Sequence, residues 1–377
     1  MSSTYSSQEK LPLISTHPKK GEGKYVLVIH GGAGTMSREK STPVQQAEYK
    51  AVLAQALRAG YAVLEQGGEA MDATVAAVMV LENCPLFNAG KGAVFNTGGK
   101  NELETSIMLS KPPSTHPEIP TNRRGFALTL LTHTRNPCHL ARTLYLSPKS
   151  TPHPFLSGSY AESIGTSLGV PTVPSSYFFT EARWREHRRG LGLPEEPLPE
   201  GHTPASPPEP LNLDQMPTGT VGAVALDMRG CICAVTSTGG RTNKQVGRVG
   251  DTPHMGSGFW AEEWKVKGLL RRTWNKFRGK GGVNALGVSG TGDGDFFIRQ
   301  NTASTMARRM QYLGESVTKA ADWVVEDLKE HDGVGGVIAL DQEGNVALSL
   351  NCPGMYRGVI RDDGVAKTAI FNDEELS

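Results

Sequence analysis

The chain contains 377 residues, so it is too long for a disulfide-stapled miniprotein and long enough for one large domain or two ordinary ones. Its 39 Lys and Arg residues balance its 38 Asp and Glu residues, so no global field draws the protein to nucleic acid or anionic lipid. The composition favours a small or neutral partner.

Residues 1–24 are polar and lack the continuous apolar segment of a signal peptide, so we interpret them as a flexible tail. The longest apolar run, at residues 73–81, is far shorter than the roughly 18 residues that span a bilayer. Five cysteines form an odd, sparse set without a zinc-ligand spacing, which favours reduced thiols. These features predict a cytoplasmic protein with no membrane partner.

The first predicted elements are a strand and two helices. Residues 25–29 form a β-branched run that predicts a buried strand, and the glycine-rich residues 30–34 predict a sharp bend after it. Apolar residues recur at helical spacing over 44–65, which predicts an amphipathic helix. Residues 71–83 are apolar almost all round and predict a buried helix, with Asp72 bonding amides of its first turn.

Further elements mix strand and helix on both sides of a linker. Extended segments are predicted at 93–95, 103–109 and 125–131, and a helix at 137–146. Residues 190–217 are rich in Pro, Glu, Gly and Ser, a composition that cannot bury enough apolar area to order itself, so we predict a disordered linker. Paired strands are then predicted at 220–227 with 231–236, and at 336–340 with 345–350.

Thr220 combines an unusual position with a useful chemistry. A threonine that opens a strand usually reflects β-propensity alone, but Thr220 directly follows the predicted linker. If the bond between Gly219 and Thr220 were cut, Thr220 would own a hydroxyl nucleophile and a free α-amine, whose reference pKa is about 7.7–8.0. One residue would then supply both nucleophile and general base.

Six separated blocks resemble the plant-type asparaginase/isoaspartyl peptidase family of N-terminal-nucleophile (Ntn) hydrolases. In chain order they are HGGAG at 30–34, LENCPLFNAGKGAVF at 81–95, GTVGAVALD at 219–227, TSTGG at 236–240, VGRVGDTP at 246–253 and GTGDGD at 290–295. The resemblance implies autoproteolysis between Gly219 and Thr220, which makes Thr220 the nucleophile and places Thr238 beside its hydroxyl. The HGGAG run would lie close to this threonine, with His30 a packed, hydrogen-bonded residue.

The resemblance also assigns substrate contacts. Arg248 would bind the substrate α-carboxylate, for which its bidentate fork is suited, while Asp251 and the Gly294 carbonyl would bind the α-ammonium. The Thr291 hydroxyl and the Gly292 amide would stabilise the oxyanion, and Asn88 would add a polar contact near the scissile group. The glycine spacing at 290–294 fits neither a phosphate loop nor a calcium loop.

No cofactor is implied for catalysis, but the resemblance suggests a structural sodium ion. Its ligands would be six backbone carbonyls in one loop, those of Leu81, Glu82, Cys84, Phe87, Ala89 and Lys91.

The chain departs from the family pattern in two places. Glu104 stands where the family usually has Asp, and Ser110 belongs to a segment that has lost a closing Asp-Gly, which bears on the substrate pocket. Residues 260–282 add a segment rich in Trp, Lys and Arg. We interpret this segment as a solvated, partly helical surface insertion, with RNA binding as the competing interpretation.

The expected fold is α+β, a four-layer αββα sandwich of the Ntn-hydrolase type. It would form one domain from 25 to 377, divided after cleavage into residues 25–219 and 220–377, with a homodimer of cleaved protomers as the implied assembly. The expected activity is hydrolysis of L-asparagine, of β-aspartyl dipeptides, or of both. Alternatives are a glycosylasparaginase, a taspase-like endopeptidase, or an uncleaved binding protein with the same fold.

Overall fold

The computed structural model describes residues 24–34, 36–39, 41–199, 201, 219–266 and 282–377. Its strands are β1 (Val26–Gly34), β2 (Leu103–Leu109), β3 (Gly125–Leu131), β4 (Phe155–Ser157), β5 (Val221–Leu226), β6 (Ile232–Thr238), β7 (Phe259–Lys265), β8 (Val283–Gly292), β9 (Gly335–Asp341), β10 (Val346–Leu350), β11 (Gly354–Ile360) and β12 (Lys367–Phe371). The α-helices are α1 (Pro43–Glu65), α2 (Ala70–Glu82), α3 (Pro137–Tyr145), α4 (Gly158–Ser167), α5 (Glu181–Gly190), α6 (Gly294–Gln300), α7 (Thr302–Arg308) and α8 (Val317–Glu330).

The strands form two sheets that face each other. The larger sheet has the order β12-β11-β1-β5-β6-β2-β3-β4, and the smaller sheet has the order β10-β9-β8-β7. Every neighbouring pair is antiparallel except β3 with β4. The strands β5 and β6, and also β9 and β10, pair as the alternating sequence predicts.

Three hydrophobic cores separate four layers. In β1, Leu27 and Ile29 pack against α1 and α2, whereas Val26 and Val28 pack against the smaller sheet, as the period of two in a strand requires. Residues of β8 and β9 that point away from the larger sheet pack against α7 and α8. The result is the expected four-layer αββα arrangement.

Both N-terminal helices form as predicted, but one predicted cap is wrong. The expectation that Asp72 bonds amides of the first turn of α2 fails, because α2 begins at Ala70 and has no side-chain cap. Asp72 instead accepts a hydrogen bond from Arg142 Nε at 2.7 Å, which ties α2 to α3.

The predicted bend at residues 30–34 is also wrong. The strand β1 continues to Gly34 and absorbs the glycines in a bulge between His30 and Gly32. The extended segment predicted at 93–95 is not a strand, since these residues follow a 3-10 turn at Gly90–Gly92 and join no sheet.

The insertion begins later than predicted. Trp260 to Lys265 belong to β7 and pair with β8, so they are not part of a partly helical surface segment. Residues 267–281 lie outside the described residues, as do the tail at 1–23 and the linker at 202–218. In the described part of the predicted linker, Gly190 is the last residue of α5, whereas residues 191–199 and 201 contain neither helix nor strand. Within the described ranges, no helix combines the length and apolar character needed to cross a bilayer.

Candidate active site

At one edge of the larger sheet, β2 and β5 begin and β6 ends, and their terminal residues form one row of side chains. The register pairs Val221 with Ser237 and Glu104 with Thr238. Extended by one residue, the first pairing places Thr220 opposite Thr238. Residues directly opposite each other in paired strands point to the same face of the sheet. Thr220, Thr238 and Glu104 therefore all point into the space between the two sheets. All three line one cavity of about 320 Å³.

Gly219, on the acyl side of the predicted cut, packs tightly against β1 and β8. A Cβ atom on Gly219 would lie 2.6 Å from the Ala33 amide nitrogen, 2.6 Å from Thr291 Oγ1 and 2.8 Å from Gly32 Cα. Real Cβ atoms do not approach backbone atoms so closely, so only glycine fits here without displacement of its neighbours. The HGGAG run therefore lies against Gly219 and so close to Thr220, as the resemblance implies.

A buried chain of hydrogen bonds holds the carbonyl of Thr220. His30 Nδ1 lies 2.9 Å from the Thr220 oxygen, and His30 Nε2 lies 2.7 Å from Ser289 Oγ. Burial lowers the pKa of His30 to about 3, so the ring is neutral at pH 7. Because a carbonyl can only accept, Nδ1 carries the proton and Nε2 accepts from Ser289, whose oxygen is 2.9 Å from Thr236 Oγ1. His30 is thus packed and hydrogen-bonded, as expected.

The hydroxyl of Thr220 has a neighbour that the sequence analysis missed. Thr252 Oγ1 lies 3.5 Å from Thr220 Oγ1, in a site where Thr220 itself is only 6% exposed. Thr238 lies opposite Thr220 in the sheet, and its hydroxyl accepts a hydrogen bond from the Gly240 amide at 3.0 Å. Thr252 belongs to the VGRVGDTP block, so the block offered a signal for it.

The predicted substrate-binding residues converge at one end of the cavity. Arg248, Asp251 and Gly294 all line it, and a Cβ on Gly294 would collide with Asp251 Oδ1 and lie 3.2 Å from Arg248 Nη2. Arg248 Nη2 also donates to Asp295 Oδ1 at 2.8 Å, a partner that the sequence analysis did not identify. One cation and several carboxylates therefore share a small volume.

Asp251 is buried, and its Oδ2 atom has no hydrogen-bond partner among the described residues. Burial raises the pKa of Asp251 to about 7, the charge of Glu104 acts in the same direction, and Arg248 opposes both. A buried carboxylate with an unused oxygen is suited to receive a cationic ligand.

The two predicted oxyanion donors lie at the end of β8. Thr291 Oγ1 accepts a hydrogen bond from the Ala33 amide at 3.1 Å, so its hydroxyl hydrogen is available to donate toward Gly219. Gly292 lines the cavity at a φ of +146°, and a Cβ there would collide with the Val334 carbonyl oxygen. Both the close packing and the backbone conformation at position 292 therefore require glycine.

Asn88 lies behind the cavity wall rather than in it. Its Nδ2 donates to the Gly240 oxygen at 2.7 Å, and its Oδ1 accepts from the Val94 amide at 3.0 Å. Its own carbonyl accepts from the Gly239 amide at 3.0 Å. Asn88 therefore holds the turn that follows Thr238, and the structure does not bring its side chain into the cavity lining.

This geometry agrees with comparisons to known proteins. The statistical model of the family described as Asparaginase matches residues 23–266 and 281–370. The chain belongs to this family. It is similar to the isoaspartyl peptidase of Escherichia coli K12, with 37% identity over 357 residues that cover 93% of this chain and 98% of the relative.

Vertebrate members of the Asparaginase family are similar at comparable identity. The isoaspartyl peptidase/L-asparaginase of Mus musculus is 36% identical over 323 residues, which cover 85% of this chain and 83% of the relative. The Xenopus laevis protein of the same name is 34% identical over 341 residues, which cover 90% of this chain and 93% of the relative. The family match omits residues 267–280, which agrees with an insertion that starts after β7.

In the loop at 81–91, for which the resemblance suggests a sodium ion, two glycines lie close to backbone carbonyl oxygens. Cβ atoms on Gly90 and Gly92 would collide with the carbonyl oxygens of Glu82 and Phe87 respectively. Gly90 also has a φ of +52°, which favours glycine. Among the described residues, no group of three or more His, Cys, Asp or Glu side chains is placed to hold a metal ion. Backbone oxygens are the donors that hard cations prefer, so the loop fits the proposed ion in its donor type.

Proposed function

We propose that this protein is a self-activating threonine amidohydrolase that hydrolyses L-asparagine to L-aspartate and ammonia, and also hydrolyses β-aspartyl dipeptides. The observation that carries this proposal is the position of Thr220. It directly precedes β5, follows a glycine, and points into a cavity whose other end holds Arg248 and Asp251. Relatives named isoaspartyl peptidase and L-asparaginase support the choice of substrates.

The first step is autoproteolysis. The Thr220 hydroxyl attacks the Gly219 carbonyl carbon, and the acyl group moves from the Thr220 nitrogen to its oxygen. Water then hydrolyses this ester, which leaves a carboxylate on Gly219 and a free α-amine on Thr220. The hydrogen bond from His30 holds the Thr220 carbonyl, so the backbone of this residue is held in place while its hydroxyl attacks.

In the catalytic cycle, the Thr220 amine accepts the hydroxyl proton as Oγ1 attacks the β-amide carbon of the substrate. The Thr291 hydroxyl and the Gly292 amide stabilise the oxyanion, and the Thr238 and Thr252 hydroxyls orient the nucleophile. The amine then protonates the departing nitrogen, and water hydrolyses the β-aspartyl ester. Arg248 binds the α-carboxylate, whereas Asp251 and the Gly294 carbonyl bind the α-ammonium.

Asn88 acts in this scheme by positioning the Gly239–Gly240 turn after Thr238. We propose that the carbonyls of Leu81, Glu82, Cys84, Phe87, Ala89 and Lys91 bind a sodium ion, which would contribute rigidity to the loop that carries Asn88. The ion takes no part in the chemistry.

We also propose a cytosolic location and a homodimer of cleaved protomers. All five cysteines are free thiols, which supports a reducing compartment. The dimer rests on the family resemblance alone.

The test of the proposed function is the intact mass of the purified protein beside Thr220→Ala and Thr220→Ser variants. The wild type should separate into fragments of 219 and 158 residues, the second beginning at Thr220. Thr220→Ala should stay whole and lose at least about 10⁴-fold in asparaginase activity, because it lacks the nucleophile. Thr220→Ser retains a hydroxyl and should still cleave, which shows that the loss in the alanine variant is chemical.

Activity is then measured on L-asparagine and on a β-aspartyl dipeptide with the cleaved protein. A wild-type chain that stays whole and inactive at neutral pH would refute the proposal and favour the uncleaved binding protein. A circular dichroism spectrum shared by all variants controls for folding.

A further inference from the structure

Glu104 is a buried carboxylate that the proposed mechanism does not use. Its side chain is fully buried at the start of β2, beside Thr238, and it lines the substrate cavity. Its Oε1 accepts hydrogen bonds from the Gly250 amide at 2.9 Å and from Thr129 Oγ1 at 3.2 Å. Its Oε2 has no hydrogen-bond partner within the part of the chain that the structure describes.

A buried carboxylate oxygen without a hydrogen bond lowers the stability of the fold, because burial removes its hydrogen bonds to water and no protein group replaces them. Most buried polar groups are hydrogen-bonded, so an exception at a cavity wall indicates a partner that arrives with the ligand. Burial raises the pKa of Glu104, whereas Lys244 and Arg248 oppose that rise and favour the charged form. The net effect is a raised pKa, and the two cations limit that rise.

The neighbours of Glu104 show which ligand group it would receive. Arg248 Nη1 and Glu104 Oε2 lie 2.7 and 2.9 Å from the point that a Cβ on Gly250 would occupy, so both atoms pack against Gly250 and lie close to each other. Asp251 is the next residue, and the charge of Glu104 contributes to its raised pKa. Two carboxylates with unused oxygens thus share the end of the cavity that holds Arg248.

A substrate carboxylate would need only the positive charge of Arg248, but this end of the cavity also holds the carboxylates of Glu104 and Asp251. Arg248 already donates to Asp295, and Lys244 Nζ donates to the Glu102 carbonyl oxygen at 2.7 Å. An anionic ligand group would meet Arg248, but it would be repelled by Glu104 and Asp251. A ligand with an ammonium beside its carboxylate satisfies both signs at once.

We propose that Glu104 is a substrate-binding residue that, together with Asp251, receives the α-ammonium group and so selects substrates with a free α-amine. This inference rests on the proposed function for the identity of the ligand. Glu104 stands where the resembling family usually has Asp, and its side chain is longer by one methylene group.

The test is the dissociation constant of two probes for the cleaved protein, measured by titration calorimetry. The probes are L-aspartate and succinate, which differ only in the α-ammonium group. In Glu104→Gln, the amide oxygen can keep the Gly250 hydrogen bond while the charge is lost. We expect about 10- to 100-fold weaker binding of L-aspartate, and unchanged or tighter binding of succinate.

Glu102→Gln is the matched control. It removes the same charge two residues away, from a side chain outside the cavity lining, and should change neither constant. Glu104→Asp keeps the charge with a shorter reach and should weaken L-aspartate binding less than Glu104→Gln does. This second variant also keeps the inference testable if Glu104→Gln does not fold or cleave.

Parallel weakening of both probes in Glu104→Gln would assign Glu104 a structural role and overturn the inference, as would unchanged L-aspartate binding. Turnover of L-asparagine by the wild type tests the proposed function separately. A wild type that turns over asparagine while Glu104→Gln shows no discrimination would refute only the inference. A wild type without turnover that still shows the discrimination would refute only the hydrolase. A wild type that binds neither probe and does not turn over L-asparagine would refute both.

Discussion

Asp251 shows how a single buried group can make substrate binding depend on pH. Its pKa is raised to about 7, first by burial and then by Glu104, against the opposing charge of Arg248. The protonated form predominates below that pH and the charged form above it. Only the charged form attracts an α-ammonium group, so the affinity for an amino acid should depend on this titration.

We therefore predict that the dissociation constant of L-aspartate is nearly constant just above pH 7 and rises by up to about tenfold per pH unit below it. Calorimetric titrations from pH 5 to 8 measure the dissociation constant, and comparison with Asp251→Asn separates the titration of Asp251 from that of the Thr220 amine. Asp251→Asn should bind weakly throughout and lose the dependence. If the dissociation constant of L-aspartate for the wild type does not change through pH 7, Asp251 is not the group that binds the α-ammonium.

For individual residues, the sequence identified the site residues that belong to family-like blocks. It missed those whose role depends on a contact with a residue far away in the chain. Thr220, Arg248 and Asp251 belong to blocks, and all three line the cavity. Ser289 was missed, because its role depends on contact with His30, 259 positions away in the chain. No local pattern carries that pairing, which arises only when β1 and β8 face each other across the sandwich.

Among the elements, β1 differs most from its prediction. The glycines at 30–34 suggested a turn, since glycine most often marks one. The structure uses them instead for close approach, because the strand passes Gly219 with no room for a Cβ atom. The helices α1, α2 and α3 and the alternating strands were predicted because their apolar period is set by the core on which they pack, whereas the helices α4 to α8 were not predicted. A glycine run has no such period, so its sequence cannot distinguish a turn from a tightly packed strand.

The packing of β1 predicts the effect of Gly219→Ala. The added Cβ would lie 2.6 Å from both the Ala33 nitrogen and Thr291 Oγ1, so the scissile carbonyl must move relative to Thr220. We expect self-cleavage to slow by at least about 100-fold, because near-attack geometry is sensitive to shifts of about 1 Å. A time course of fragment formation by mass spectrometry measures the rate.

Gly282→Ala is the control for this substitution, since a Cβ there meets no atom of the described residues within 4 Å. It should cleave at the wild-type rate. Wild-type kinetics in Gly219→Ala would show that the contact with β1 does not position the bond.

For the whole molecule, the sequence predicted mixed helix and sheet, and the family resemblance predicted the layers. Alternation reveals which residues are buried but not which strands are neighbours. For example, β1 pairs with β11, so that Leu27 lies beside Ile360. Such pairings between distant segments determine the order of the strands in each sheet. The periodicity of one sequence contains no information about them.

These pairings also predict what happens to the molecule after the cut between Gly219 and Thr220. The strand β1 precedes the cut and pairs on both sides with strands that follow it, β5 and β11, while β2 pairs with β6. The core between the sheets likewise contains Val28 from one fragment and Val224 from the other. Separation would break three strand ladders and expose this core to water, at a cost far above that of a loose complex.

We therefore predict that the cleaved wild type and the whole Thr220→Ala protein elute at the same volume in native gel filtration. The two fragments should separate only on a denaturing gel, where the alanine variant gives one band. Circular dichroism should show the same secondary structure in both proteins, because cleavage breaks one bond and leaves every ladder in place. A fragment that elutes alone under native conditions would show that the described pairings do not survive the cut.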